Sequence, residues 1–236
     1  MSLVEKNKNS REVLGGLFII NLKNYLEVSG DKTIKLAAAA QTVADSQKLR
    51  IILAPPQPSI AIVKQNVNIP IICQHVDDAG IGQTTGFFIP EIAKSYGASG
   101  SLVNHSEHRL DVRTINNLVQ RLRQLGMTSI VCARTSQEVE AVAKLDPDFI
   151  AIEPPELIGT GKAVSKESPK IITDSIKAAA KYSKSGSVIC GAGIMDKSDV
   201  RNALELGVKG ILVASGIIKS SSWYEKILEL CLGFNI

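Results

Sequence analysis

Short, continuously apolar runs alternate along this chain with longer stretches in which apolar residues recur every three to four positions. The runs are Leu17 to Lys23, Arg50 to Pro55, Ile69 to Val76, Gly100 to Ser106, Ser129 to Arg134, Phe149 to Pro154, Ser187 to Ile194 and Gly210 to Ile217. Their length and composition predict strands that are buried on both faces. The stretches between them predict helices near 31–48, 57–66, 90–96, 111–125, 135–145, 168–184, 196–206 and 221–232.

The strict alternation of strand and helix predicts a parallel sheet, because parallel strands need helical returns whereas antiparallel strands do not. The simplest fold in which eight such units share one closed parallel sheet is a single-domain (β/α)8 barrel. An open doubly wound sheet is the alternative, but the first strand is not followed by the Gly-x-Gly-x-x-Gly turn that marks a dinucleotide site. We expect the barrel over residues 16–236 and a flexible tail over residues 1–15.

Composition narrows the class of protein. Apolar residues make up 44% of the chain and aromatic residues only 4%, so the core is expected to be aliphatic. The net charge of +4 comes from 27 basic and 23 acidic residues without a basic stripe, and no nucleic-acid partner is expected. No apolar segment has the roughly 18 residues of a membrane span, and the amino terminus is charged rather than signal-like. We therefore expect a cytoplasmic protein with no membrane contact.

The cysteines suggest neither a metal site nor a disulfide framework, because they form no Cys-x-x-Cys pair and have no histidine at zinc-binding spacing. They are Cys73, Cys132, Cys190 and Cys231. The first three, and Asn21, each follow two aliphatic residues in alternate predicted strands. Since one inner layer of a barrel takes its side chains from alternate strands, we predict that these four residues point inward together. The same alternation places Lys23 in the mouth of the barrel.

Polar side chains stand at the carboxyl ends of three predicted strands, where barrel enzymes hold their sites. Asn21-Leu22-Lys23 ends the first strand, Asn104-His105-Ser106-Glu107 ends the fourth, and Glu153 ends the sixth. Taken singly, Glu153 could be a solvated residue at a strand end, His105 a histidine whose hydrogen bonds are made within the fold, and Lys23 a lysine at the edge of the barrel. Their shared position favours a catalytic site instead. Two prolines and a Gly-Thr-Gly after Glu153 predict a lid with stiff ends.

In this order on eight strand–helix units, the motifs resemble those of triosephosphate isomerases, from about Leu17 to the last helix. The matching pieces are Asn-x-Lys, His-Ser-Glu, Glu-Pro followed by Ile-Gly-Thr-Gly, Cys190-Gly191-Ala192-Gly193-Ile194 and Val213-Ala214-Ser215-Gly216. The lid lacks the tryptophan common in bacterial and eukaryotic members, so the chain looks most like the archaeal branch. His108 and Leu22 stand where most members carry an arginine and an aromatic residue.

The resemblance implies a reversible interconversion of dihydroxyacetone phosphate and D-glyceraldehyde 3-phosphate through an enediol or enediolate, in glycolysis and gluconeogenesis. It implies that Glu153 is the catalytic base, that His105 donates to both substrate oxygens, and that Lys23 supplies positive charge. Asn21 would orient the substrate. Glu107 would support Lys23 or relay protons.

The phosphate group of the triose would be bound by backbone amides at Gly193, Ala214 and Ser215, with Ile158 and Gly159 arriving from the lid. Many family members have glycines at positions 214 and 215 and a serine at position 193. Neither a metal ion nor an organic cofactor is expected.

The expected partner is a second copy of the chain. Residues Thr84 to Phe88 carry aromatic side chains on a loop, and in the family the equivalent loop reaches into the neighbouring subunit's site. The archaeal resemblance implies a homotetramer, and a dimer is the smaller alternative.

Two other functions stay open at this level. One is a different phosphate-binding barrel enzyme, which would have no reason to combine Asn-x-Lys, His-Ser-Glu and Glu-Pro. The other is a non-catalytic barrel that binds a phosphorylated metabolite or serves as a scaffold.

Overall fold

A ring of parallel strands forms the centre of the fold. The computed structural model describes residues 14–182 and 187–235. Within these ranges the strands are β1 (Leu14–Asn21), β2 (Leu49–Ala54), β3 (Gly100–Val103), β4 (Thr128–Ala133), β5 (Phe149–Ile152), β6 (Ser187–Cys190) and β7 (Gly210–Val213). Their order in the sheet is β2-β1-β7-β6-β5-β4-β3, and neighbouring strands pair in parallel.

Residues 69–76, predicted as the third strand, close the ring between β2 and β3. On one side the Ile72 amide donates to the Leu53 carbonyl at 2.9 Å, and on the other the Cys73 amide donates to the Gly100 carbonyl at 2.9 Å. The pairing is limited to isolated bridges, since Pro70 has no amide hydrogen to donate. With this segment in place the fold is the predicted (β/α)8 barrel.

The helices surround the ring. In the described ranges they are α1 (Asp31–Gln47), α2 (Ile60–Asn66), α3 (Pro90–Ser95), α4 (Val112–Gln124), α5 (Ser136–Ala143), α6 (Val164–Glu167), α7 (Pro169–Ala180), α8 (Lys197–Glu205), α9 (Ser215–Ile218) and α10 (Trp223–Cys231). Short 3-10 turns lie at Leu26–Val28, Gln57–Ser59, Pro155–Leu157 and Leu232–Phe234. Asp111 caps α4 by accepting the Thr114 amide at 2.9 Å.

Several predicted strands run too far at their carboxyl ends, and the overrun is longest in the last two. The strand predicted to reach Ile194 ends at Cys190, and the one predicted to reach Ile217 ends at Val213. After Cys190 the chain turns at Gly193, whose φ of +71° favours glycine. After Val213 it enters the short helix α9. β1 begins at Leu14 rather than Leu17. Residues 1–13 of the predicted tail lie outside the described residues.

The strands bury both of their faces in two apolar layers. The layer inside the ring contains Leu17, Ile19, Ile52, Ala54, Ile72, Leu102, Ile130, Cys132, Ala151, Ile189 and Leu212. Cys73 and Cys190 lie instead in the outer layer between strands and helices, so the predicted inward layer of Asn21 and three cysteines is wrong. Only Cys132 among the three packs inside, because Ile72 and Ile189 take the inward positions of the other two strands.

All four cysteines are free and buried. Among the residues that the structure describes, no helix is long and apolar enough to cross a membrane.

Candidate active site

Glu153 lies at the carboxyl end of β5, inside the mouth of the barrel. Its amide donates to the Ala133 carbonyl at 2.8 Å, which continues the strand ladder and aims the side chain inward. The residue is only 2% exposed. Gly191 stands beside it, and a Cβ at that position would come within 2.5 Å of Glu153 Cγ and 2.7 Å of Oε1. A glycine on β6 therefore makes the space that this carboxylate occupies.

The surroundings of the Glu153 carboxylate change its acidity. Burial raises the pKa above its ordinary value of 4.5, and this outweighs the lowering by His105, by a hydrogen bond with the Cys132 thiol and by Lys23. In the described part of the chain, Oε2 has no hydrogen-bond partner. The group is thus a desolvated carboxylate with one oxygen left for a proton.

His105 is aimed at Glu153 by the turn that follows β3. Asn104 adopts a φ of +62°, a conformation that asparagine tolerates better than most residues. Its side chain donates to the Cys132 carbonyl at 2.9 Å and accepts the Leu110 amide at 2.9 Å, which fixes the turn. His105 Nε2 then lies 3.6 Å from Glu153 Oε2.

The hydrogen bond that Nδ1 accepts determines which ring nitrogen of a neutral His105 carries the proton. Nδ1 accepts the backbone amide of Glu107 at 3.2 Å, so the neutral ring carries its hydrogen on Nε2. Nε2 is the nitrogen that faces Glu153 and the cleft. His105 can therefore act as a hydrogen-bond donor at the place where the Glu153 side chain lines the cleft.

Lys23 is held by contacts on its backbone and on its ammonium group. Its φ of +46° is unusual for a non-glycine residue. Asn21 Oδ1 accepts the Lys23 amide at 3.0 Å, and Gln74 Nε2 donates to the Lys23 carbonyl at 2.9 Å. The ammonium lies 2.7 Å from Glu107 Oε1 at the mouth of the cleft. This anchoring keeps a positive charge beside the catalytic candidates.

The structure gathers most of the predicted site residues around one cleft. It is lined by Lys23, His105, Glu153, Ile158, Gly159, Gly193, Ala214 and Ser215, together with Tyr25, Gly161, Gly191, Ile194, Met195, Leu212, Val213 and Gly216. Asn21 and Glu107 line an adjoining cleft, which shares Lys23 and His105 with the first. Within the described residues, no group of three or more His, Cys, Asp or Glu side chains is arranged to hold a metal ion.

Comparison with known proteins identifies the family of this chain. Residues 16–231 match the family model described as triosephosphate isomerase. The chain belongs to the triosephosphate isomerase family. Curated triosephosphate isomerases from Cenarchaeum symbiosum (strain A) and Archaeoglobus fulgidus are 48% identical over 214 residues and 43% identical over 215 residues. Each alignment covers 91% of this chain and 96% of the relative. The relative from Methanothermus fervidus is 41% identical over 214 residues, again 91% and 96% of the two chains.

Two departures from the commonest pattern of triosephosphate isomerases have structural explanations. Leu22 is fully buried in the outer apolar layer, where an aliphatic side chain packs well. The His108 ring stacks on His75 with centroids 3.7 Å apart and planes 15° apart. Burial and His108 lower the pKa of His75, and Asp77 opposes them.

Several residues of the cleft were not assigned a role from the sequence. The sequence indicates Gly191 only as part of a motif and Cys132 only as an inward-facing residue, although both touch Glu153. Tyr25 and Met195 line the cleft from loops. The strand-end position of Gly191 beside a glycine-rich turn was a usable signal, whereas single residues in irregular loops carry no periodicity to indicate where they point.

Proposed function

We propose that this chain interconverts dihydroxyacetone phosphate and D-glyceraldehyde 3-phosphate through an enediol or enediolate. The observation that carries the proposal is a buried carboxylate, Glu153, whose free oxygen lies 3.6 Å from the donor nitrogen of His105. The reaction needs a base that removes a proton from one carbon and returns it to the next, and it needs donors for the oxygens between which charge moves.

The surroundings of each group suit its proposed role in the proton transfers. The raised pKa of Glu153 makes it a stronger base than an ordinary carboxylate, while it remains able to release the proton again. His105 donates from Nε2 to the substrate oxygens in turn. Lys23 stabilises the developing negative charge, and its ion pair supports the view that Glu107 positions the ammonium. Asn21 holds the Lys23 backbone as well as facing the cleft that adjoins the site.

The phosphate group is proposed to bind at the opposite side of the cleft. Gly193 follows β6, while Ala214 and Ser215 follow β7, at the end of the barrel where phosphate sites are common. Ser215 begins α9, so its amide has no acceptor within the helix and remains available for a phosphate oxygen. Ile158 and Gly159 cover the site from the lid.

The cellular role that accompanies this activity is glycolysis and gluconeogenesis in the cytoplasm, with a small phosphorylated triose as substrate. Proton transfers between carbon, oxygen, glutamate and histidine need no metal ion or organic cofactor, and we propose that the enzyme uses none.

We further propose that the chain forms a homo-oligomer through the loop that precedes α3. Phe87 is 55% exposed and Ile81 is 75% exposed, whereas Phe88 packs against the core. Asp77 accepts the Phe88 amide at 2.7 Å, which gives the loop a defined shape. The cleft of about 710 Å³ beside Lys23 offers a place for the same loop of another copy. A dimer satisfies this contact, and a tetramer would add a second one.

The first test is direct turnover of purified protein on glyceraldehyde 3-phosphate, with Glu153→Gln beside the wild type. Loss of the base should lower turnover by roughly a hundred- to ten-thousand-fold. Glu205→Gln, the same chemical change at an exposed position on α8, should retain wild-type turnover. A folded wild type without isomerase turnover would reject the proposal, and other phosphorylated metabolites would then be screened for binding.

A further inference from the structure

The lid returns to the barrel through the short helix α6, which packs on the loop after β6. The Val164 amide donates to the Ala192 carbonyl at 3.3 Å, and the Ser165 hydroxyl donates to the Asp199 carbonyl at 3.3 Å. The Lys162 carbonyl lies where a Cβ of residue 193 would be, so the lid backbone rests directly on Gly193. The end of the lid and the phosphate-binding loop are thus in contact.

Asp199 connects these two segments with its two carboxylate oxygens. It is 3% exposed. Oδ2 accepts the Met195 amide at 2.9 Å and the Asp196 amide at 3.3 Å, which shapes the loop that begins at Gly193. Oδ1 faces the Lys166 ammonium of α6 at 2.6 Å. This contact is a charge-assisted one, in which the Lys166 ammonium is the partner of Oδ1.

Capping of α8 explains only half of this arrangement. Asp199 forms a capping box with Asp196, and that motif uses Oδ2 alone. Oδ1 is directed away from the cap, at a residue of a different helix. The Lys166 side chain is 46% exposed and the Asp199 side chain only 4%, so the ion pair joins a buried charge to a half-exposed one. Its effect is to fix the distance between the lid anchor and the phosphate-binding loop.

We propose that Asp199 and Lys166 are positioning residues for the reaction, a role that rests on the proposed isomerase function. By tying α6 to the loop after β6, they hold the closed lid in register with Gly193. A lid held loosely would admit water to the enediolate. The carbon–oxygen bond to the phosphate then breaks, its electron pair leaves with inorganic phosphate, and the remaining enol rearranges to methylglyoxal.

The test compares three lysine variants by kcat, KM and the yield of methylglyoxal per turnover. Lys166→Met removes the charge and keeps most of the stem, Lys166→Arg keeps the charge, and Lys170→Met removes a charge from the exposed Lys170–Asp174 pair of α7. We expect Lys166→Met to lower kcat/KM roughly ten- to a hundredfold, the scale of a small misplacement of reacting groups. Its methylglyoxal yield should rise. Lys166→Arg should restore both values, and Lys170→Met should match the wild type.

Asp199→Asn provides an independent readout of the same contact. The amide oxygen can still accept the Met195 amide, so the loop keeps its shape while Lys166 loses its ionic partner. The double variant with Lys166→Met should lose no more activity than Lys166→Met alone, because both changes remove one interaction.

The result that overturns the inference is an active wild type, an inactive Glu153→Gln, and a Lys166→Met variant equal to Lys170→Met in turnover and by-product. An inactive wild type would instead reject the proposed function. The two failures are therefore distinguishable in one set of assays.

Discussion

Burial and reactivity conflict at Glu153. A carboxylate that is 2% exposed and beside the Cys132 thiol lacks the water that would stabilise its charge. Gly191 leaves room for the group but supplies no side-chain donor. The chain therefore keeps a base in a place where a neutral side chain would be more stable.

We predict that Glu153→Gln raises the free energy of unfolding at neutral pH. The pKa of Glu153 in the folded protein lies above the ordinary 4.5, so between these two values the folded state binds more protons than the unfolded state. The stability that a protonated Glu153 contributes is therefore lost as the pH rises through this window. Glutamine has the same shape without the charge, and the gain should be roughly 1–3 kcal/mol.

Urea unfolding of both proteins at pH 4.5 and pH 7.5, at one protein concentration, measures the difference in their free energies of unfolding. The contributions of the other titrating groups cancel because both proteins share them. The stability advantage of Glu153→Gln should be larger at pH 7.5. A variant that is equally stable or less stable there would contradict the description of Glu153 as a costly buried charge. The same raised pKa predicts that kcat/KM falls on the acid side, as the base becomes protonated.

In the proposed mechanism, the exclusion of water depends on the lid. It runs from the Pro155–Leu157 turn through Gly159 and Gly161, whose φ values are +73° and +74°. Its two ends are fixed by backbone hydrogen bonds: the Glu153 amide donates to the Ala133 carbonyl of β4, and the Val164 amide donates to the Ala192 carbonyl in the loop after β6. A change between these anchors should leave the barrel intact.

We predict that deleting residues 156–159 removes activity without unfolding the protein. Ile158 and Gly159 would no longer cover the cleft, so turnover should collapse and methylglyoxal should appear from the unprotected intermediate. Circular dichroism and urea unfolding should remain close to the wild type. Normal turnover with no by-product would show that this segment does not act as a lid.

The order of strands and helices could be predicted from the sequence, but the ends and the register could not. Apolar residues continue past Val213 into α9 at Ile217, so hydrophobicity alone does not mark where that strand stops. Cys73 and Cys190 were placed on the wrong face because strands buried on both sides show no alternation of apolar and polar residues.

The candidate site could be located because its polar groups stand at strand ends, where an apolar run makes them conspicuous. Lys23, His105 and Glu153 carried this signal. The contact of Gly191 with Glu153 could not be predicted, since it depends on how closely two neighbouring strands approach. The ion pair of Asp199 could not be predicted for a similar reason. Its partner Lys166 lies in another helix, and no local sequence spacing relates the two residues.

At the scale of the whole molecule, we predict that Phe87→Asp yields a smaller assembly than the wild type. An aromatic side chain that is 55% exposed in one copy is expected to be buried in another, and a charge there would need desolvation. Light scattering and sedimentation measure the mass. Tyr224→Asp is the matched control, because Tyr224 is an exposed aromatic residue on α10. A monomeric wild type, or an unchanged mass for Phe87→Asp, would contradict the proposed contact.

The join at residues 69–76 has a consequence for how the chain avoids aggregation. A closed ring has no edge strands, but the strand pairing of this segment with β2 and β3 consists of isolated bridges rather than a continuous ladder. If it separated, both strands would present unpaired amide and carbonyl groups to other chains, which is the template for edge-to-edge association. The proposed subunit loop follows this segment directly. Assembly through Phe87 would therefore help to keep this segment paired with β2 and β3, and would protect the newly folded chain from association through unpaired strand edges.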